Sequence, residues 1–444
     1  MKFPKNFIFG AATAAYQIEG GRREGGKADS IWDRFCDIPG NVDRNETGEV
    51  ACDHYHKFRE DVAKMKEMHL DSYRFSVAWT RIIPDGDGKV NKEGVAFYDA
   101  LIDELLKAGI EPMLTMYHWD LPQALQEKGG WLNPESVNWY THYAEVLFDA
   151  FGGKVKKFIT FNEPFVFTDF GYVTGTFPPG IRGDYRSKIT AGHNVLKSHG
   201  SAVRLFRKKK LKGEIGITLD YAYNCPATKQ TNDVKAAALA NEFWAGWYFE
   251  PVVFGHYPEH ALKWFKERNL LPEITEEDMK LISEPIDFLG INHYFTNYVA
   301  YDESNTREHT KAVYPNVHHT DMDWPITEDG FYEMLKYFQS VLKVPLYITE
   351  NGISLNDIVT LDGTVEDYDR IDYMKRYLGK LSQAIQEGLD CRGYYYWSLM
   401  DNMEWAAGYK PRFGLIYVDY PTQKRIIKRS GEFYRTLIDQ KNGL

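Results

Sequence analysis

Eight times along the chain, a short apolar run rich in β-branched and aromatic residues gives way to a longer stretch whose apolar positions recur at helical spacing. The runs cover 7–13, 72–79, 111–119, 158–163, 214–219, 287–294, 346–350 and 393–400. Helical patterns start near Asp53, Asn91 and Asn133-Pro134-Glu135, span 190–208 and 233–249, restart after Thr275, and occupy 329–342, 369–388 and 428–440. Asp53, Asn91 and Asn133 are N-cap residue types, and 275–278 has the form of a capping box. Strands joined by crossover helices run parallel, and eight such units predict an α/β fold, the (β/α)8 TIM barrel. No Pro/Ser-rich linker interrupts the pattern, so 1–444 reads as a single domain with elaborated βα loops. Two of those loops stand out: 21–50, rich in Gly and charge, and 296–325, long, polar and aperiodic.

Two runs stop at a glutamate. Leu346-Tyr347-Ile348-Thr349-Glu350 precedes the turn signal Asn351-Gly352, and Phe158-Ile159-Thr160-Phe161-Asn162-Glu163 precedes Pro164. The proline predicts an extended Glu163 and denies the strand a further ladder donor. In a parallel barrel every strand exits on the same face, so Glu163 and Glu350 share a pocket with Gln17, Arg74, His118, Trp119, Asn162, Asn292, Tyr294 and Trp397. Amides and carboxylates hydrogen-bond hydroxyls, and indole faces cover the apolar side of a sugar ring, so this set suits an uncharged, hydroxyl-rich ligand. Two carboxylates flanking a glycosidic bond are the minimum equipment for its hydrolysis, with retention at about 5 Å separation and inversion at about 6.5–9.5 Å. Arg74 and Tyr294 are placed to hold Glu350 ionised, and that charge would keep Glu163 protonated as the acid. Asn162 is placed to bond the sugar 2-hydroxyl.

Composition narrows the partners. Lys+Arg 53 against Asp+Glu 63 gives a net charge of −10, which disfavours a nucleic-acid partner. The basic run Arg207-Lys208-Lys209-Lys210 falls at a helix end, where cations complement the helix dipole. Cys36, Cys52, Cys225 and Cys391 are sparse and lack metal or redox spacing. The neighbouring pairs His54/His56 and His318/His319 have no acidic partner at a diagnostic spacing, so no metal site is read. No leader pattern is read at the amino terminus, and no apolar run reaches about 18 residues. The expectation is a cytoplasmic protein without a membrane partner; the sequence sets no oligomeric state.

The stretch 7–21, Thr160-Phe161-Asn162-Glu163-Pro164, Ile348-Thr349-Glu350-Asn351-Gly352 and Trp397-Ser398-Leu399-Met400-Asp401-Asn402-Met403-Glu404-Trp405 together resemble glycoside hydrolase family 1, the β-glucosidase family. The resemblance spans essentially the whole chain, with four motifs in order. It implies an exo-acting, retaining β-glucosidase that acts on cello-oligosaccharides and aryl or alkyl β-glucosides, with Glu163 as acid/base, Glu350 as nucleophile and no cofactor or metal. It further implies that Gln17, His118, Asn162, Asn292, Glu404 and Trp405 bind hydroxyls of the terminal sugar, with Trp397 as its floor. Phe165 stands where many relatives carry Trp, so stacking on the leaving-group side is weaker or falls to Trp324. Trp405 argues for an unphosphorylated substrate, while Lys410 keeps a 6-phospho-β-glucosidase in view. A non-catalytic sugar-binding protein is the alternative from another class.

Overall fold

The computed structural model describes residues 1–443. Eight parallel strands form a closed barrel: Ile8–Ala12, Ser72–Ser76, Glu111–Tyr117, Lys157–Asn162, Glu214–Asp220, Phe288–Asn292, Leu346–Asn351 and Cys391–Trp397. The first strand closes the ring by pairing with both the second and the eighth, so no barrel edge is left to template aggregation. These strands carry near-continuous apolar runs because helices bury their outer faces while side-chain layers fill the interior.

Helix boundaries follow local chemistry in most places. The helix Lys92–Ala108 starts with Asn91 Oδ1 accepting from the Glu93 N–H at 3.3 Å, and ends at Gly109, whose φ of 80° gives the left-handed cap. Its face bearing Phe97, Leu101, Ile102 and Leu105 is buried against the barrel. Glu276–Ile282 begins with the expected capping box of Thr275 and Asp278. The basic run closes Tyr185–Lys208, where Lys209 meets Asp149 at 2.7 Å and Arg207 meets Asp287 at 2.8 Å.

Four local expectations differ from the structure. Asp53 adopts a left-handed conformation and its carboxylate turns to His56 at 2.5 Å instead of capping His54–Glu67. Asn133 accepts from Glu135 N–H at 3.0 Å, but the helix proper begins later, at Ser136. The loop 21–50 contains a short helix, Ile31–Cys36, with its own capping box of Ser30 and Asp33. Residues 296–325 are not wholly irregular: Asn297–Tyr301 and Thr310–Val313 pair antiparallel, and the first of them also pairs with Asn224–Pro226. The hairpin escaped sequence reading because Lys311, Ala312 and Val313 are all exposed, so the alternation that marks a half-buried strand is missing.

All four cysteines are buried and unpaired, and no helix among the described residues is long and apolar enough to cross a membrane.

Gly290, in the sixth barrel strand, shows how tightly the interior is fitted. A Cβ there would lie 2.3 Å from Thr218 Oγ1 and 3.0 Å from Thr349 Oγ1, two hydroxyls that are hydrogen-bonded to each other at 3.2 Å. Gly290→Ala is therefore expected to destabilise the fold by about 1–3 kcal/mol, the usual penalty for overpacking. Urea denaturation checks this; an unchanged midpoint would show that the layer has slack.

Candidate active site

At the carboxyl end of the barrel the βα loops enclose a cavity of about 380 Å³. Of the residues singled out by sequence, His118, Trp119, Glu163, Asn292, Tyr294, Trp324, Glu350, Trp397, Glu404 and Trp405 line it. Gln17, Arg74 and Asn162 are each no more than 1% exposed and lie behind the wall, where they hold the lining groups.

Arg74, from the second strand, ties four strands together. Its guanidinium donates to Thr115 Oγ1 at 3.1 Å, Asn162 Oδ1 at 2.6 Å, Thr349 O at 3.0 Å and Glu350 Oε1 at 2.7 Å. The Tyr294 hydroxyl donates to the other Glu350 oxygen at 2.6 Å. Among the described residues Glu163 makes no ion pair, and its one side-chain donor is the Asn292 amide at 2.7 Å, which also bonds Asn162 Oδ1 at 3.0 Å. Thr349 Oγ1 in turn donates to Asn292 Oδ1 at 2.8 Å and fixes which way that amide faces.

The backbone at Glu163 corrects the expected extended form. It is left-handed, φ 50° and ψ 65°, and immediately precedes the helix Pro164–Asp169. Proline disfavours the right-handed helical region for its predecessor, and the left-handed region satisfies that constraint as well as an extended one does. Pro164 sits at the first helical position, where an N–H has no intrahelical partner anyway. Glu163 N–H stays bonded to Thr218 O at 2.9 Å, so the strained residue is anchored to the fifth strand.

Burial, with the charge of Glu350 next and that of Asp220 after it, pushes the Glu163 carboxyl well above the ordinary glutamate value. Burial also raises Glu350, which the sequence reading treated as simply held ionised, but there Arg74, Tyr294 and Asn292 oppose the shift. The proton of the pair therefore resides on Glu163. Burial and the Glu350 charge push Glu404 up to about 8, and burial pushes Asp220 up to about 7. His118 is driven well below its usual value by burial and by Arg74, so its ring is neutral. Since its Nε2 faces the Asn162 amide N–H at 3.1 Å, that nitrogen is assigned as the acceptor and Nδ1 carries the proton. That Nδ1, Gln17 Oε1 and Glu404 Oε2 are buried polar atoms without a partner. Orphaned groups of this kind carry a desolvation cost that a hydroxylated ligand offsets.

The loop after the eighth strand is held from below. Gln17 Nε2 donates to Asn402 Oδ1 at 3.0 Å and to Met403 O at 2.8 Å. Asp401 accepts from Lys428 at 2.6 Å, Arg412 at 2.6 Å and Gly414 N–H at 3.0 Å. Lys428 also reaches Asp357 at 2.5 Å. Trp405, at φ 48°, is packed on Trp119 and Trp32, each with ring centroids 4.6 Å away, and on Tyr16 at 6.1 Å.

Among the lining residues missed in the sequence, Asp220 and Trp244 carry a polar and a stacking group. Asp220 was legible in principle, because it directly follows the apolar run of the fifth strand, as Glu163 and Glu350 end theirs. Trp244 was hidden inside a helical pattern that the structure breaks into Thr231–Asn241, a π-turn at Glu242–Gly246, and Trp247–Val253. The histidines at 54 and 319 pair with single aspartates, Asp61 and Asp323, each at 2.7 Å.

The model of glycosyl hydrolase family 1 matches residues 1–443. The chain belongs to that family. β-Glucosidase A of Acetivibrio thermocellus is 45% identical over 444 residues, covering 99% of each chain. The 1,4-β-D-glucan glucohydrolase of Thermotoga neapolitana is 43% identical, covering 100% of this chain and 99% of its own. Among solved structures, the Thermotoga maritima β-glucosidase in complex with glucoimidazole superposes with a TM-score of 0.95 at 44% identity, covering 100% of both chains. For this family 1 chain, Asp401→Ala is expected to cost about 3–5 kcal/mol, because it strips a carboxylate from the buried Lys428 ammonium. Differential scanning calorimetry reads that loss; a transition temperature within error of the parent would show that the ion network does not brace the loop.

Proposed function

We propose that this chain is a retaining, exo-acting β-glucosidase that removes the terminal non-reducing β-D-glucosyl residue from cello-oligosaccharides and from aryl or alkyl β-glucosides. The observation that carries the reading is the asymmetry between two buried carboxyls that open on one cavity. Glu350 is flanked by Arg74 and Tyr294, whereas Glu163 has only Asn292 and is raised further. Asn292 donates to Glu163 and lies in register with Glu350, and this closeness of the two strand ends supports retention, which uses a separation of about 5 Å. The names of the relatives point to the same substrate class.

In the first step Glu350 attacks the anomeric carbon, the bond to the departing oxygen breaks, and Glu163 passes its proton to that oxygen. In the second, Glu163 takes a proton from water, the hydroxide oxygen bonds the anomeric carbon, and the ester to Glu350 is cleaved. On the cavity wall the neutral His118, Asn292, Glu404 and Trp405 take the hydroxyls of the glucosyl unit above Trp397, and Gln17 and Asn162 reach it from just behind once the sugar is bound. No Lys or Arg is among the cavity-lining residues, and Lys410 is exposed, which favours an unphosphorylated sugar over a 6-phosphate. The presence of both carboxyls on one cavity wall favours hydrolysis over the sugar-binding alternative. Four unpaired cysteines favour a reducing, cytoplasmic setting.

Three outcomes test the roles. Glu350→Gly should drop hydrolysis of every β-glucoside to background while the circular dichroism spectrum is unchanged; turnover near the parent rate would reassign the nucleophile. Glu163→Ala should cost about 10²–10⁴-fold on cellobiose but far less on a dinitrophenyl glucoside, whose leaving group departs without a proton. Equal losses on the two substrates would contradict the acid role. The kcat/KM profile of the parent should be bell-shaped: activity is lost as pH falls and Glu350 gains a proton, and lost as pH rises through the raised Glu163 value. On the dinitrophenyl substrate, Glu163→Ala should abolish the alkaline limb and keep the acid one.

A further inference from the structure

The residue after Asn162-Glu163-Pro164 is Phe165, and its ring is covered. It is 5% exposed, and Trp244 stacks on it with ring centroids 4.3 Å apart and planes 26° apart. The buried Lys188 ammonium, paired with Asp169 at 2.6 Å, also lies 4.3 Å from the ring centre. Phe165 is thus a packed support, and the aromatic surface offered to the cavity is that of Trp244.

Trp244 sits at a break between two helices. It lies in the π-turn Glu242–Gly246 with φ −90° and ψ −114°, outside the helical region. Such interruptions persist where surrounding contacts over-determine them, and they recur at functional sites. Its indole N–H donates to Asp220 Oδ2 at 3.1 Å, and no other side chain donates to that carboxyl among the described residues. Both residues are partly exposed on the cavity wall, which sets them apart from core aromatics satisfied within the fold.

Their position in the cavity indicates which part of a substrate they meet. Asp220 ends the fifth strand and lies in register with Asn292, the residue whose amide holds Glu163. The fifth strand pairs directly with the fourth and takes the Glu163 N–H at Thr218 O, whereas the sixth strand separates it from the seventh, which carries Glu350. Asp220 and Trp244 therefore stand on the Glu163 side of the cavity, where the departing oxygen is protonated. Trp324, by contrast, packs on Tyr294 at 5.2 Å and Phe413 at 6.0 Å, beside the hydroxyl that holds Glu350.

We propose that Trp244 and Asp220 form the site for the leaving-group sugar: the indole face stacks on the ring, and the second Asp220 oxygen accepts a hydrogen bond from one of its hydroxyls. This rests on the hydrolase reading above and deepens it by naming the residues that select the leaving group. Lys188, Asp169 and Glu163 are charged groups that interact with Asp220, and none of them is altered in the test.

The test compares cellobiose, whose leaving group is a sugar, with β-glucosyl fluoride, whose leaving group has neither ring nor hydroxyl. Trp244→Ala should lower kcat/KM on cellobiose by about three- to tenfold, chiefly through KM, and leave the fluoride within about twofold. Trp244→Phe, which keeps a stacking face, should recover most of that loss. Asp220→Ala should show the same selectivity for cellobiose. Equal losses on both substrates, or no loss on cellobiose, would overturn the site while the hydrolase reading stands. A parent protein inert on both substrates would overturn the hydrolase reading and this site with it.

Discussion

A single guanidinium crosses the open end of this barrel, and the arrangement of the site follows from it. Arg74 enters from the second strand and is satisfied by groups on the third, fourth and seventh, ending on Glu350. A buried cation is tolerated only when paired and fully hydrogen-bonded, so each of those groups has one position that meets its demand. Asn162 and Thr349 then orient Asn292, and Asn292 orients Glu163. Both carboxyls are thus placed by one chain of contacts that begins at an arginine outside the cavity wall.

The same chain makes the two glutamates unequal. Two acids in one low-dielectric cavity cannot both be charged cheaply, and the cation stands beside only one of them. Glu350 receives Arg74 and a tyrosine hydroxyl, while Glu163 receives an amide and the field of its neighbour. The division of labour in the proposed reaction, one acid charged and one protonated, is therefore a property of the surroundings, since the side chains are chemically identical. Glu404 and Asp220, pushed to about 8 and about 7, extend the pattern: the cavity favours neutral carboxyls wherever no cation is supplied.

The outer parts of the cavity are built differently. Glu404 and Trp405 sit on a loop braced by Gln17 and by the buried ions around Asp401, so their positions depend on residues far apart in the chain. The opposite wall depends on the π-turn at Trp244 and on Phe165, which serves as backing for another ring. The proposed glucosyl site thus combines strand ends with the braced loop of Glu404 and Trp405, and the proposed leaving-group site rests on the turn that carries Trp244, consistent with one reaction being fitted to different leaving groups by loop variation.

The barrel, its eight strands and the two glutamates at strand ends are legible in the order of residues alone. Apolar runs of strand length and helical periodicity are local patterns, and parallel closure then sends every strand terminus to one face. Arg74, His118, Asn162 and Asn292 were legible for the same reason. The left-handed turn at Glu163, the hairpin within 296–325 and the exposure of Trp244 in place of Phe165 were decided only by tertiary structure. Each depends on partners distant in sequence: Thr218 for the Glu163 N–H, Asn224–Pro226 for the hairpin, and Asp220 for the indole. Local propensity carries no record of such partners, because a hydrogen bond or a stacked ring forms only once packing has brought its two halves together.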